Sequence, residues 1–147
     1  MTLSDYIAIL HDGTHTLVVD HGDEVFTYDG RGVSDLYDVY HNQPELLRGA
    51  YVADKVVGKG AAALMCLSGV RRVYAGVISS AALTMLQGCG VAVSFGAEVP
   101  YIINRTASGM CPLEMRCRDC HTPQECLPQI NIFVDQMRAQ AKYRNNV

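Results

Sequence analysis

Apolar residues recur at Leu3, Tyr6, Ile7 and Leu10, the spacing of one helix face, behind Ser4 and ahead of the stop Asp12-Gly13. The pattern then shortens. Residues 15–20 and 24–28 read as two strands of a hairpin around the polar His21-Gly22-Asp23, closed by Asp29-Gly30-Arg31-Gly32. Ser34 offers an N-cap for a helix over 35–41, with Leu36, Tyr37 and Tyr40 on one stripe and Asn42-Gln43-Pro44 as its end.

Residues 50–67 are rich in Ala, Val, Leu and Met and end at Ser68-Gly69, which predicts one largely buried helix. A buried strand over 72–78 follows, then a helix capped by Ser79-Ser80 and closed by Gly88 and Gly90, then a strand over 91–95. Strand, helix, strand in that order requires a crossover and parallel pairing. Beyond it the pattern predicts a short strand over 99–104, a loop over 105–110 and a polar stretch carrying four cysteines. Thr122-Pro123-Gln124-Glu125 has capping-box form, and Ile130, Phe133, Val134 and Met137 make the apolar stripe of a final helix. Pro128 inside that stripe predicts a kink, or a start delayed to Leu127-Pro128. The elements assemble into a three-layer α/β/α sandwich on a mixed sheet. One domain spans 1–147, with the cysteine-rich segment and final helix at about 111–142.

Composition narrows the function classes. With 49% hydrophobic and 18% charged residues in 147, the chain is too apolar for disorder, and no run of about 18 apolar residues is present to cross a bilayer. No basic residues precede an apolar run at the start, so the expected compartment is the cytoplasm. Residues 1–50 hold nine acids against two bases, and 51–147 hold six acids against ten bases. That basic excess is dispersed, without a Lys/Arg run, which excludes a nucleic-acid backbone binder and leaves a small anionic partner and a homo-oligomer open.

Three features carry candidate chemistry. In Asp54-Lys55-Val56-Val57-Gly58-Lys59-Gly60, read as a helix start, Lys55 and Lys59 share a face near the positive end of the dipole. Gly58 and Gly60 add a further helix cost. A bound anion would offset both penalties, whereas two solvated lysines with close-packed glycines are the alternative. The leading glycine and trailing Ser/Thr of a P-loop are absent, which excludes a nucleotide triphosphatase of that type. In Met110-Cys111-Pro112-Leu113-Glu114, Pro112 suits the first helical position and puts Cys111 at a cap. There a thiol becomes more nucleophilic, with Glu114 to cap the turn or move protons. A small buried thiol and a capping carboxylate are the plainer reading. Third, Cys117-Arg118-Asp119-Cys120 is a CxxC knuckle; with Cys126 and either His121 or Cys111 it supplies four ligands for a structural zinc. Free or redox-paired thiols remain the alternative, and Cys66 and Cys89 read as packing residues.

The strings Val52-Ala53-Asp54-Lys55-Val56-Val57-Gly58-Lys59, Val73-Tyr74-Ala75 through Ile78-Ser79, Val99-Pro100 through Ile103-Asn104-Arg105, and Met110-Cys111-Pro112-Leu113-Glu114 resemble a prokaryotic family of uncharacterised proteins. That family is classed by fold with the cytidine deaminases. The resemblance covers about residues 15–115 and implies the same sandwich. A zinc deaminase needs His or Cys, then Glu two residues on, at one helix start, and Pro-Cys-x-x-Cys at the next. Neither motif is present, so zinc-dependent deamination is not expected. The resemblance implies that Asp54, Lys55, Lys59, Ser79, Asn104, Arg105, Cys111 and Glu114 face one cleft. The leading expectation is a metal-independent enzyme or a binder of a small anionic or nucleotide-like ligand. In it Cys111, Lys59 and Glu114 act as the reactive set, and Asp54, Lys55, Gly58, Ser79, Asn104 and Arg105 as ligand contacts. The alternative is a non-catalytic binding or structural protein whose Cys117, Cys120, Cys126 and His121 hold zinc.

Overall fold

The computed structural model describes residues 2–104 and 106–145. The chain runs α1 (Leu3–His11), β1 (Leu17–Asp20), β2 (Val25–Tyr28), α2 (Ser34–Asn42), a 3-10 turn (Pro44–Leu46), β3 (Tyr51–Val57) and α3 (Lys59–Ser68). It continues with β4 (Arg72–Ser79), α4 (Ser80–Gly88), β5 (Ala92–Val99), α5 (Pro112–Cys117) and α6 (Pro123–Asn145). The sheet order is β2-β1-β3-β4-β5. β1 is antiparallel to both of its neighbours, whereas β3, β4 and β5 are mutually parallel, joined by crossovers through α3 and α4. Tyr6 and Leu10 of α1 pack on Val18, Ala53 and Tyr74 from one side of the sheet. Leu36 and Val39 of α2, Leu64 of α3, Leu86 of α4 and Ile130 of α6 form the larger core on the other side. The structure is the expected three-layer sandwich on a mixed sheet.

One expected element divides. The stretch 50–67 is not one helix: Tyr51–Val57 is a central strand, and the helix begins only at Lys59. A strand buried on both faces has no polar alternation, so its apolar run cannot be told from a buried helix by periodicity. Gly58, extended at φ −94° and ψ −179°, is the joint. Lys55 lies in a strand and Lys59 at the first position of α3, so they share no helix face.

Strands β3 and β4 also change face together. Val52 and Val57, five residues apart, enter the same core, as do Val73 and Ile78. An odd separation breaks the two-residue period of a strand. The paired register passes from Asp54↔Ala75 to Val56↔Val77, stepping over Lys55 and Gly76. A Cβ on Gly76 would stand 2.7 Å from the Lys55 carbonyl oxygen, and one on Gly96 would stand 2.7 Å from the Gly76 carbonyl oxygen. Glycine is therefore required across this row.

Smaller boundaries also shift. Thr2, not Ser4, caps α1, in a reciprocal bond with Asp5. Ser34 makes no cap on α2; instead the Asp35 carboxylate accepts the Gly30 N–H at 2.7 Å. β5 runs to Val99, and the strand expected over 99–104 shrinks to one bridge between Ile103 and Met110. α6 begins at Pro123 under a Thr122 hydroxyl that accepts the Glu125 N–H, with Pro128 inside it, so its start is not delayed. Ser79 caps α4 and Gly69 closes α3 at φ 73°, both as expected. Among the described residues no helix is long and apolar enough to cross a membrane.

Candidate functional site

At the carboxyl ends of β3 and β4 the chain turns directly into α3 and α4, so two helix starts open side by side. In open α/β sheets this is where ligands bind, because backbone N–H groups point there without intrahelical partners. Gly58, the cap of α3, has no side chain to satisfy them. The anion that meets the first of them comes from the chain itself. α5 delivers the buried Glu114, whose Oε1 accepts the Lys59 N–H at 2.5 Å and the Ser79 hydroxyl at 3.4 Å, while Oε2 accepts the Ile102 N–H at 3.1 Å. Ser79 Oγ in turn accepts the Ala82 N–H at 3.2 Å. One carboxylate thus ties α5 to both helix starts and to the segment after β5.

The two glycines serve this docking. A Cβ on Gly58 would lie 2.9 Å from Glu114 Oε1, and one on Gly60 would lie 2.6 Å from Leu113 Cδ2. They admit α5 to the start of α3, the close approach expected of a ligand.

The lysines go elsewhere. Lys59 Nζ donates to the carbonyl oxygens of Arg118, at 3.1 Å, and Cys120, fastening the loop after α5. Lys55 Nζ donates to the Gly13 carbonyl oxygen at 3.3 Å, beside α1 on the other side of the sheet. Asp54 is buried on the α2 side, level with Leu17, and accepts the Val56 N–H at 3.3 Å. Burial pushes its carboxyl up to about 7, with Asp35 adding to the rise. Asn104 knits its own loop, its Oδ1 accepting the Ser108 N–H at 2.9 Å and its Nδ2 donating to Ser108 Oγ. Arg105 lies outside the described residues. The structure brings together Gly58, the Lys59 backbone, Ser79, Cys111 and Glu114; the Lys55 amine and Asn104 serve other contacts.

Between α2, α3, α5 and α6 lies a cavity of about 100 Å³. Val33, Val56, Ala61, Ile102, Leu113 and Phe133 make it apolar, and Cys111 and Glu114 contribute a thiol and a carboxylate. Its lining is drawn from segments scattered between residues 32 and 133, so no local motif announces it.

Cys117 and Cys126 are buried in the main core, with Cys120 packed against it. The neighbouring Cys126 thiol holds Cys117 below the ordinary thiol value, while Cys117 and burial push Cys126 up; burial also raises Cys120. His121 donates its backbone N–H to Glu125 Oε2 at 2.8 Å and is exposed. Among the described residues no three His, Cys, Asp or Glu side chains have the arrangement to hold a metal ion. Cys66, expected only to pack, lies beside Cys89, and burial and that neighbour push its thiol up.

Fold and site together describe an α/β sandwich with a small apolar cavity where its parallel strands end. The chain belongs to the DUF1893 family: residues 6–134 match TM1506, a domain of unknown function. The crystal structure of a DUF1893 family protein (TM1506) from Thermotoga maritima is similar to it, with a TM-score of 0.79 and 24% identity. The likeness covers 87% of this chain and 86% of that one, and speaks to the fold. Comparison with curated proteins returns no match.

Proposed function

We propose that the chain binds a compact, largely apolar molecule in the cavity beside Glu114, through one hydrogen-bond donor on that molecule. The supporting observation is the lining: six apolar side chains surround a buried carboxylate that already accepts three bonds. A carboxylate offers about four lone-pair sites, so a fourth donor, N–H or O–H, completes it. This reading replaces the expected anion. The first amide of α3 is taken by Glu114, and the two amines are on different carbonyl oxygens. Cys111, at the cavity wall, is the nucleophile a reactive ligand would meet.

The expected likeness to cytidine deaminases would extend to the scaffold alone. The helix starts that would carry zinc ligands read Lys59-Gly60-Ala61 and Ser80-Ala81-Ala82, with none of the His, Cys or Glu such a centre needs. Cys117, Cys120 and Cys126 lie in or against the apolar core, and among the described residues no three candidate ligands are arranged to hold a metal ion, so the proposal leaves them unligated.

Ligand-observed NMR with neutral, donor-bearing fragments and with inorganic phosphate tests the proposal. Fragments such as small phenols or cyclic amides bind wild type and fail to bind Ala61→Leu, which fills the cavity. Binding of phosphate alone, or fragment binding that survives Ala61→Leu, overturns it.

A further inference from the structure

The two edges of the sheet are built differently. β2 is four residues long and flanked by Asp23, Glu24 and Asp29, the charged, short edge that blocks pairing with another strand. β5 closes the other edge with eight residues, Ala92-Val93-Ser94-Phe95-Gly96-Ala97-Glu98-Val99, which contain no Lys, no Arg and no Pro. Six of the eight are exposed, and Phe95 keeps 41% of its surface in water. Tyr101, also 41% exposed, continues the apolar strip beyond the strand. The single charge is exposed and lies near the end of the strand: Glu98 Oε2 accepts the Ser80 hydroxyl at 2.7 Å, over the start of α4. α1 packs on β1, β3 and β4. Among the described residues no segment lies along the outer side of this strand.

We propose that β5 pairs antiparallel with β5 of a second copy of this chain, about a two-fold axis normal to the sheet. The charge pattern selects this occupant and this direction. Residues 92–97 are uncharged, so the strand opposes itself without like-charge repulsion. Glu98 sits near one end; antiparallel pairing sends the two copies of it to opposite ends of the seam, whereas parallel pairing in register sets them face to face. The seam is about 26 Å long at the ordinary rise per residue. It joins the sheets into one of ten strands whose remaining edges are the two short β2 strands with their acidic flanks, so growth stops at the dimer. Phe95 of each copy is then covered by the other.

Sedimentation equilibrium of the full chain at micromolar concentration reads the result. The expected mass is twice 16.1 kDa. Phe95→Lys/Ala97→Lys places four ammonium groups in the seam, and like-charge juxtaposition of this kind weakens association by more than about 100-fold. Both positions are exposed in the single chain, so circular dichroism should show that the variant remains folded. Wild type that sediments as a monomer overturns the proposal, as does a dimer that survives the double substitution. If the double variant does not fold, hydrogen exchange of wild type decides. Amides over 92–99 that exchange as slowly as those of β4 support the seam, and fast exchange along β5 overturns it.

Discussion

Replacing Glu114 tests whether one carboxylate holds the site together. Its side chain is 6% exposed and accepts two backbone N–H groups and one hydroxyl. In Glu114→Ala the amides of Lys59 and Ile102 lose their partner inside a largely apolar pocket. Each orphaned donor costs about 1–3 kcal/mol, so the expected destabilisation is about 3–5 kcal/mol. For a domain of this size that corresponds to a fall in Tm of roughly 10 °C. Glu114→Gln keeps the shape but turns an NH2 group toward one of the two N–H donors, and should cost about 2 kcal/mol. Urea unfolding followed by far-UV circular dichroism measures both. A second comparison isolates the contact itself. Gly58→Ala places a Cβ 2.9 Å from Glu114 Oε1, so it should be costly in wild type and much cheaper beside Glu114→Ala. An alanine variant within about 1 kcal/mol of wild type, or strictly additive effects of the pair, would refute the reasoning.

Asp54 has a folded-state carboxyl raised to about 7, so between pH 4 and 7 the native chain holds a proton that the unfolded chain has lost. Stability therefore falls as pH rises through that window, by about 4 kcal/mol as an upper bound, and Asp54→Asn should flatten the slope in urea titrations run at each pH. Gly76→Ala forces a Cβ against the Lys55 carbonyl oxygen and should cost about 3 kcal/mol, whereas Gly88→Ala, into open space at the end of α4, should gain about 0.5–1 kcal/mol. Thermal melts separate the two. Protein purified without oxygen should contain far less than one zinc per chain by elemental analysis and melt unchanged in chelator; stoichiometric zinc would overturn the unligated assignment of Cys117, Cys120 and Cys126.

Where local chemistry decided the structure, the sequence was enough. The Ser79 cap, the left-handed Gly69, the hairpin of β1 and β2 and the Thr122 cap all follow from residues within one turn of where they act. The failures have two physical origins. β3 is covered on both faces, by α1 and by the main core, and the same run of apolar residues satisfies a strand or a helix equally well. That single ambiguity displaced Lys55, since a strand turns successive side chains by half a circle and a helix by about 100°. The cavity was unreadable because its walls meet only after the sheet, α5 and α6 have packed.

The segment Gly58-Lys59-Gly60 shows how much a local conflict can and cannot say. Poor helix formers at a helix start suggest a bound anion held by two lysine amines; the structure instead sets the chain's own Glu114 carboxylate on the Lys59 amide, with both amines on carbonyl oxygens. That source could not be read from spacing, because the carboxylate lies 55 residues along the chain, on a helix of six residues that makes sense only once docked. A ligand and a distant side chain impose the same demand on the helix start, namely backbone that can be approached closely and donors left free. What separates them is whether the chain can bring a carboxylate there. Here Pro112 at the first position of α5, and the two glycines that admit Leu113 and Glu114, are the residues that make it arrive. On the proposed reading, a ligand would therefore sit beside the carboxylate that occupies the helix start.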